Sequence, residues 1–196
     1  MKLKCPVCTT ETLQPTTLPG GPGVAELTAR ECSTCHGQWV DGEAYLLWVE
    51  KVDRRDRERP PAPDVAVTTE KAKPKLCPTC GRFLTRAAVG NGVAFLLDRC
   101  GTCAGFWFEP GEWEALRALD LHIEAHQVFS DAWQYDVQKV ERKRQHERLL
   151  ISKLGEADWR EIQRVKAWLE AHPRKAELYS VLMEDANLPP PKAVKA

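Results

Sequence analysis

Eight cysteines stand in four CxxC pairs, Cys5/Cys8, Cys32/Cys35, Cys77/Cys80 and Cys100/Cys103, and none is left over. Two intervening residues let a tight turn aim both sulfurs at one ion, and two such turns complete a four-thiolate shell, the usual structural zinc site. Four sulfurs close the shell and leave no position for a reactive water, so a structural ion is expected rather than a catalytic one. Thioredoxin-type chemistry needs a βαβ setting, which is absent. A zinc-carrier or thiol-sensor role uses the same residues and is kept as a rival.

The two cysteine segments overlay as an internal repeat. The first runs Cys5-Pro6-Val7-Cys8, 23 residues, then Cys32-Ser33-Thr34-Cys35-His36-Gly37-Gln38-Trp39-Val40-Asp41-Gly42-Glu43. The second runs Cys77-Pro78-Thr79-Cys80, 19 residues, then Cys100-Gly101-Thr102-Cys103-Ala104-Gly105-Phe106-Trp107-Phe108-Glu109-Pro110-Gly111-Glu112. Agreement at the Pro, Gly, Trp and Gly-Glu positions indicates a duplicated structural unit. In the second copy, residues 84–89 and 93–98 flank Gly90-Asn91-Gly92, a strong hairpin signal because Asn and Gly tolerate positive φ. The first copy carries a longer loop with Gly20-Gly21-Pro22-Gly23, read as a hairpin tip because no Lys-Ser/Thr follows it. Gly37 and Gly105 allow a sharp turn beside the metal, and Trp39 and Trp107 are expected to cover the knuckle. Gly42-Glu43 and Gly111-Glu112 are expected to open helices, with Tyr45, Leu46 and Val49, or Trp113, Leu116 and Leu119, on one face. At about 45 residues neither copy buries a core large enough to fold alone, so the metal must supply the difference.

The second copy, CPTCG…LDRCGTCAGFWFEPGEWEAL, resembles the transcription factor IIB-like zinc-ribbon family, whose pattern is CPxCG, a hairpin, then CxxCxGxWxDxGE. The first copy is similar, with Thr9 in place of the Gly after the first knuckle and one residue fewer before Gly42. The resemblance covers about half the chain. It implies that Cys5, Cys8, Cys32 and Cys35 bind one zinc, and that Cys77, Cys80, Cys100 and Cys103 bind a second. A cross-braced pairing of Cys5/Cys8 with Cys77/Cys80 is the rival topology, disfavoured because each repeat holds a full ligand set.

The remaining sequence reads as linker and helix. Residues 50–59 are expected to continue the first helix as a solvated end, and Pro60-Pro61-Ala62-Pro63 breaks it. The chain up to Lys75 then reads as a flexible or partly extended linker. Ser130 is expected to cap a helix starting at Asp131, with Trp133, Val137, Val140, Ile151 and Leu154 among its apolar positions, and Gly155 to end it. A second helix at about 156–171 presents Trp159, Ile162, Val165 and Leu169. A third follows His172-Pro173 with Leu178, Val181 and Leu182, and the three suggest a small antiparallel bundle or hairpin. The fold class is therefore α+β: two small four-cysteine zinc ribbons, each a β-hairpin plus short helix, followed by an all-α region. The expected organisation is ribbon 1 at 1–48, a charged helix end and Pro-rich linker at 49–75, ribbon 2 at 76–118, a helical region at 119–188 and a disordered tail at 189–196.

Net charge is zero over 196 residues, with Lys and Arg balancing Asp and Glu. Residues 1–48 carry three basic against five acidic side chains and residues 76–116 three against four. Four thiolates around zinc add further negative charge, so the metal modules are acidic and offer no bulk basic surface to nucleic acid. Lys139, Arg142, Lys143, Arg144 and Arg148 are interleaved with Glu141 and Glu147 and read as a solvated helix face. His36 reads as a surface residue, because its counterpart is Ala104. His122 and His126 are spaced to seat a metal on a helix, but lack further ligands and the HExxH pattern. Phe106 and Phe108 offer an aromatic contact to a base or a partner, or pack against the ribbon. The apolar run 93–97 is too short to span a bilayer, and the N-terminus has no apolar signal core, so a cytoplasmic location is expected. No catalytic arrangement or small-molecule site stands out. The expected function is a non-catalytic docking module with two structural Zn2+ ions and a partner that is protein rather than nucleic acid. The alternatives are a transcription-associated nucleic-acid binder and a redox-responsive zinc switch.

Overall fold

A computed structural model describes residues 3–9, 11–21, 23–52 and 73–186, with the side chains of 185 and 186 excepted. The chain divides into two compact units, 1–140 and 141–196. In the first, six strands form one antiparallel sheet: β1 (Gln14–Leu18), β2 (Leu27–Glu31), β3 (Gln38–Val40), β4 (Leu84–Gly90), β5 (Val93–Cys100) and β6 (Phe106–Phe108). Their order is β1-β2-β3-β6-β5-β4. Each repeat thus supplies three neighbouring strands, and the two halves join where β3 pairs with β6. Gln38 opposes Phe108, Trp39 opposes Trp107 and Val40 opposes Phe106. That register places a local two-fold axis at the tryptophan pair. The ribbons, read from the sequence as separate units, share one sheet.

Alternation along the strands separates two faces. One face carries Leu18, Leu27, Ala29, Val40, Ala87, Val89, Phe95, Leu97, Phe106 and Phe108. The helices α1 (Gly42–Glu50) and α2 (Glu112–Ala118) cover it through Tyr45, Trp48, Val49, Trp113 and Leu116. Leu46, expected on the inner face of α1, is exposed, and Trp48 is buried in its stead. Phe106 and Phe108 are fully buried in this core, so they present no aromatic surface to a partner. The opposite face carries Leu13, Trp39, Trp107 and the cysteines.

Local signals explain most boundaries. Asp41 caps α1 by accepting N–H bonds from Glu43 and Ala44. Asn91 and Gly92, at φ 52° and 89°, make the two-residue turn between β4 and β5. α1 stops at Glu50, so residues 51 and 52 do not extend it, and the rest of the charged stretch and the Pro-rich segment lie outside the described residues. Lys73 to Lys75, expected as the end of a linker, instead lie alongside β4: Leu84 N–H donates to Lys75 O, and Leu76 bridges Phe83.

Residues 119–129, read with the helical region from the sequence, belong to the core of the first unit through Leu119, Leu121, Ile123, Ala125 and Val128. Ser130 Oγ accepts from Trp133 N–H and starts α3 (Asp131–Leu154), whose first turns dock on β4 through Trp133 Nε1–H to Val89 O. In the second unit, α3 runs on to Gly155, at φ 86°, followed by α4 (Glu156–Ala171) and α5 (Lys175–Ala186). Among the described side chains of α3, α4 and α5, Leu169 alone is buried, so the expected bundle has no closed core. The tail expected at 189–196 lies outside the described residues. No helix among the described residues is long and apolar enough to cross a membrane.

Candidate metal centres

Each repeat gathers its own four cysteines: Cys5, Cys8, Cys32 and Cys35 form one cluster, and Cys77, Cys80, Cys100 and Cys103 the other. The cross-braced topology is thereby excluded. Within each cluster all four sulfurs lie within 4.8 Å of one another. Cys5–Cys35 and Cys8–Cys32 are 3.6 and 3.8 Å apart, and Cys77–Cys103 and Cys80–Cys100 are 3.4 and 3.5 Å. A sulfur tetrahedron around zinc at the usual bond length has an edge of about 3.8 Å. No disulfide links any pair. Donor type, number and spacing therefore fit two structural zinc ions.

Backbone geometry builds the cages. Four equivalent turns close on the residue after each CxxC: Thr9 N–H donates to Cys5 O, His36 to Cys32 O, Gly81 to Cys77 O and Ala104 to Cys100 O. All four closing residues have positive φ, between 57° and 74°. Gly81 suits that conformation, whereas Thr9, His36 and Ala104 adopt it against their Cβ atoms. The turns aim N–H groups at sulfur: Val7 and Cys8 at Cys5, Cys80 at Cys77, and Thr102 at Cys100. Burial raises a thiol pKa, but at Cys32 the N–H groups of Cys35 and Thr34, together with the Cys5 and Cys35 sulfurs, outweigh it and bring the value down to about 7. Cys100 behaves identically against Cys103 and Thr102, also reaching about 7. Cys8, Cys35, Cys77 and Cys103 are pushed up, first by burial and then by neighbouring sulfurs. Crowded thiolates that resist ionising together are the electrostatic demand a divalent cation meets.

Histidines take no part in either cage. His36 is exposed, with Nδ1 3.2 Å from Glu31 Oε1. His122 is buried, its Nε2 2.8 Å from Gly20 O, with its ring against Trp48 and Trp113. Its own carbonyl accepts from Tyr45 Oη at 2.8 Å. His122 therefore clamps the first hairpin's loop to the segment after α2, and it forms no metal-ligand group with His126 among the described residues. The basic residues of 139–148 are all exposed.

Beside the second cage lies a buried charge cluster that the sequence reading passed over. Lys75 Nζ is 2.5 Å from both Asp98 Oδ2 and Glu109 Oε1. Arg86 Nε donates to Asp98 Oδ1 at 2.9 Å, and Glu112 Oε2 accepts from Glu109 N–H at 2.9 Å. The cluster pins the segment before Cys77 to β5 and to the start of α2. The equivalent residues of the first repeat, Leu3, Arg30 and Asp41, instead line an open cavity of about 410 Å³. The repeat held the available signal: Lys75 stands where the first copy has Leu3.

Comparison with known proteins agrees with this geometry. Residues 76–118 match the family described as transcription factor zinc-finger. That match spans the second repeat, and the first repeat's own four-cysteine cluster supports a second ribbon of the same kind. Neither the curated proteins nor the solved structures give a match to the chain.

Proposed function

We propose that the double ribbon is a non-catalytic docking module whose partner is a protein segment carrying apolar side chains flanked by carboxylates. One difference between the repeats supports this reading. The bridge beside the first knuckle is Lys4 opposite Thr12, and the equivalent bridge in the second repeat is Leu76 opposite Phe83. Phe83 is 70% exposed and Leu76 is 48% exposed. The first repeat folds with polar residues at these positions, so the ribbon itself does not demand apolar ones. An exposed apolar pair on a metal-braced turn, rimmed by polar residues, supports a contact surface. Exposed Arg82 and Lys73 flank the pair and favour carboxylates on the partner. Zinc closed by four thiolates supplies rigidity rather than reactivity, which lowers the ordering cost of binding.

The test exchanges the residues of one repeat into the other. Peptides selected from a random library on the wild-type protein are expected to combine an aromatic or aliphatic residue with Asp or Glu. They are expected to lose binding to the Leu76→Lys/Phe83→Thr protein, whose zinc content stays at two ions because Lys4 and Thr12 are already compatible with a ribbon. Retained peptide binding overturns the reading. So does tight binding of single-stranded nucleic acid that weakens steeply with salt and depends on Phe83.

A further inference from the structure

We infer that the two zinc sites load as one linked pair, because each cage is walled by the other repeat's tryptophan. Trp39 and Trp107 lie opposite each other across β3 and β6, at 1% and 0% exposure. They share one buried cluster with cysteines of both cages. A methyl group built on Gly37 would sit 2.1 Å from Cζ2 of Trp107, so the second repeat's indole lies directly on the first repeat's knuckle. The exchange is reciprocal: a methyl on Gly105 would sit 2.3 Å from Cζ2 of Trp39. Both glycines are tied to ligands, since Gly37 O accepts from Cys32 N–H at 2.9 Å and Gly105 O from Cys100 N–H at 2.8 Å. A third contact runs from the first repeat to the second cage, where a methyl on Gly42 would meet Cys103 O at 2.3 Å. Each tryptophan thus lies against the neighbouring repeat's knuckle.

The energetic consequence follows from connectivity. The metal ties the two CxxC turns of a ribbon together, so metal loss loosens the second turn and the third strand that leaves it, with the tryptophan on that strand. Emptying one cage withdraws the wall of the other, and by linkage filling one favours filling the other. The second zinc is expected to bind about tenfold or more tightly than the first.

Native mass spectrometry of the intact chain during zinc titration reads this directly. Independent equal sites leave about half the molecules with one ion at half-saturation, and a tenfold coupling leaves about a quarter. Inequality between independent sites only raises the one-ion fraction, so a fraction clearly below half reports coupling. A fraction of half or more overturns the inference. Trp107→Leu supplies a second readout through peptide-mapped cysteine alkylation. It is expected to speed alkylation of Cys5, Cys8, Cys32 and Cys35, alone or together with the second cage. Acceleration confined to Cys77, Cys80, Cys100 and Cys103, the cage of its own repeat, also overturns it.

Discussion

Gly37 and Trp107, 70 positions apart in sequence, touch so closely that no side chain fits between them. The Gly37→Ala methyl would collide with a buried ring, not with the free end of a flexible chain. Overpacking of this kind costs about 1–3 kcal/mol. Chemical denaturation of the zinc-loaded Gly37→Ala protein is expected to show a loss in that range. Gly101→Ala is the control: it lies in the equivalent knuckle of the second repeat, but its added methyl has open space and is expected to change little. Equal effects for the two would contradict the packing assigned to Trp107.

The Thr9 position offers a gain rather than a loss. Thr9 has φ 61°, and its counterpart Gly81 has φ 74°. A β-branched residue in the left-handed region is strained by about 1–2 kcal/mol, part of which glycine returns as unfolded-state entropy. The Thr9 Oγ1 bond to Cys8 O, at 2.7 Å, is exposed and offsets little. Thr9→Gly is therefore expected to stabilise the fold by about 0.5–1 kcal/mol, and Gly81→Thr to destabilise it. Gly81 has open space around it, so the second change isolates backbone strain. A stabilising Gly81→Thr would show that the turn does not need left-handed geometry.

Local chemistry made much of this fold legible. The CxxC turns, the Asn91-Gly92 hairpin, the Ser130 cap and the stop at Gly155 each depend on residues a few positions apart, which a linear pattern displays. The junction of the repeats was not legible, because β3 and β6 are three residues each and pair across the whole Pro-rich segment. Trp39 and Trp107 announced that a knuckle would be covered, but nothing local says whose. Lys75 was hidden for a related reason: its two carboxylate partners lie 23 and 34 positions downstream. Leu119 to Val128 carry helical-looking apolar spacing, and only the shared core shows that they seal α1 and α2 rather than join α3.

Glu112 sets a pH dependence with a definite sign. Its carboxyl is pushed up to about 8, by burial first and then by Glu109 and Asp98, with the Glu109 N–H and Lys75 acting the other way. The unfolded chain has the ordinary carboxylate value near 4.5. Between those values the folded state holds a proton that the unfolded state has released, so stability falls as pH rises through this window and levels off above about 8. Glu112→Gln keeps an oxygen to accept from Glu109 N–H and removes the charge. Urea midpoints from pH 6.5 to 8.5 are expected to slope downward for the wild type and to flatten in the variant. An unchanged slope would place the titrating group elsewhere.

The shared sheet changes what loss of one ligand does. Separate ribbons on a linker would confine the damage of Cys100→Ser to the second repeat. With β3 bound to β6, opening the second cage removes the partner of β3, the Trp107 cover on Gly37 and the Phe106 and Phe108 side of the core. Cys100→Ser is therefore expected to disorder both ribbons together, read as hydrogen exchange rising in β1 and β2 as well as in β4 and β5. The helices beyond 140 belong to a separate compact unit, so hydrogen exchange there is expected to be unchanged by the substitution. Protection retained in β1 and β2 would mean that the first ribbon stands alone, and the tryptophan exchange would then be packing without consequence for the metal.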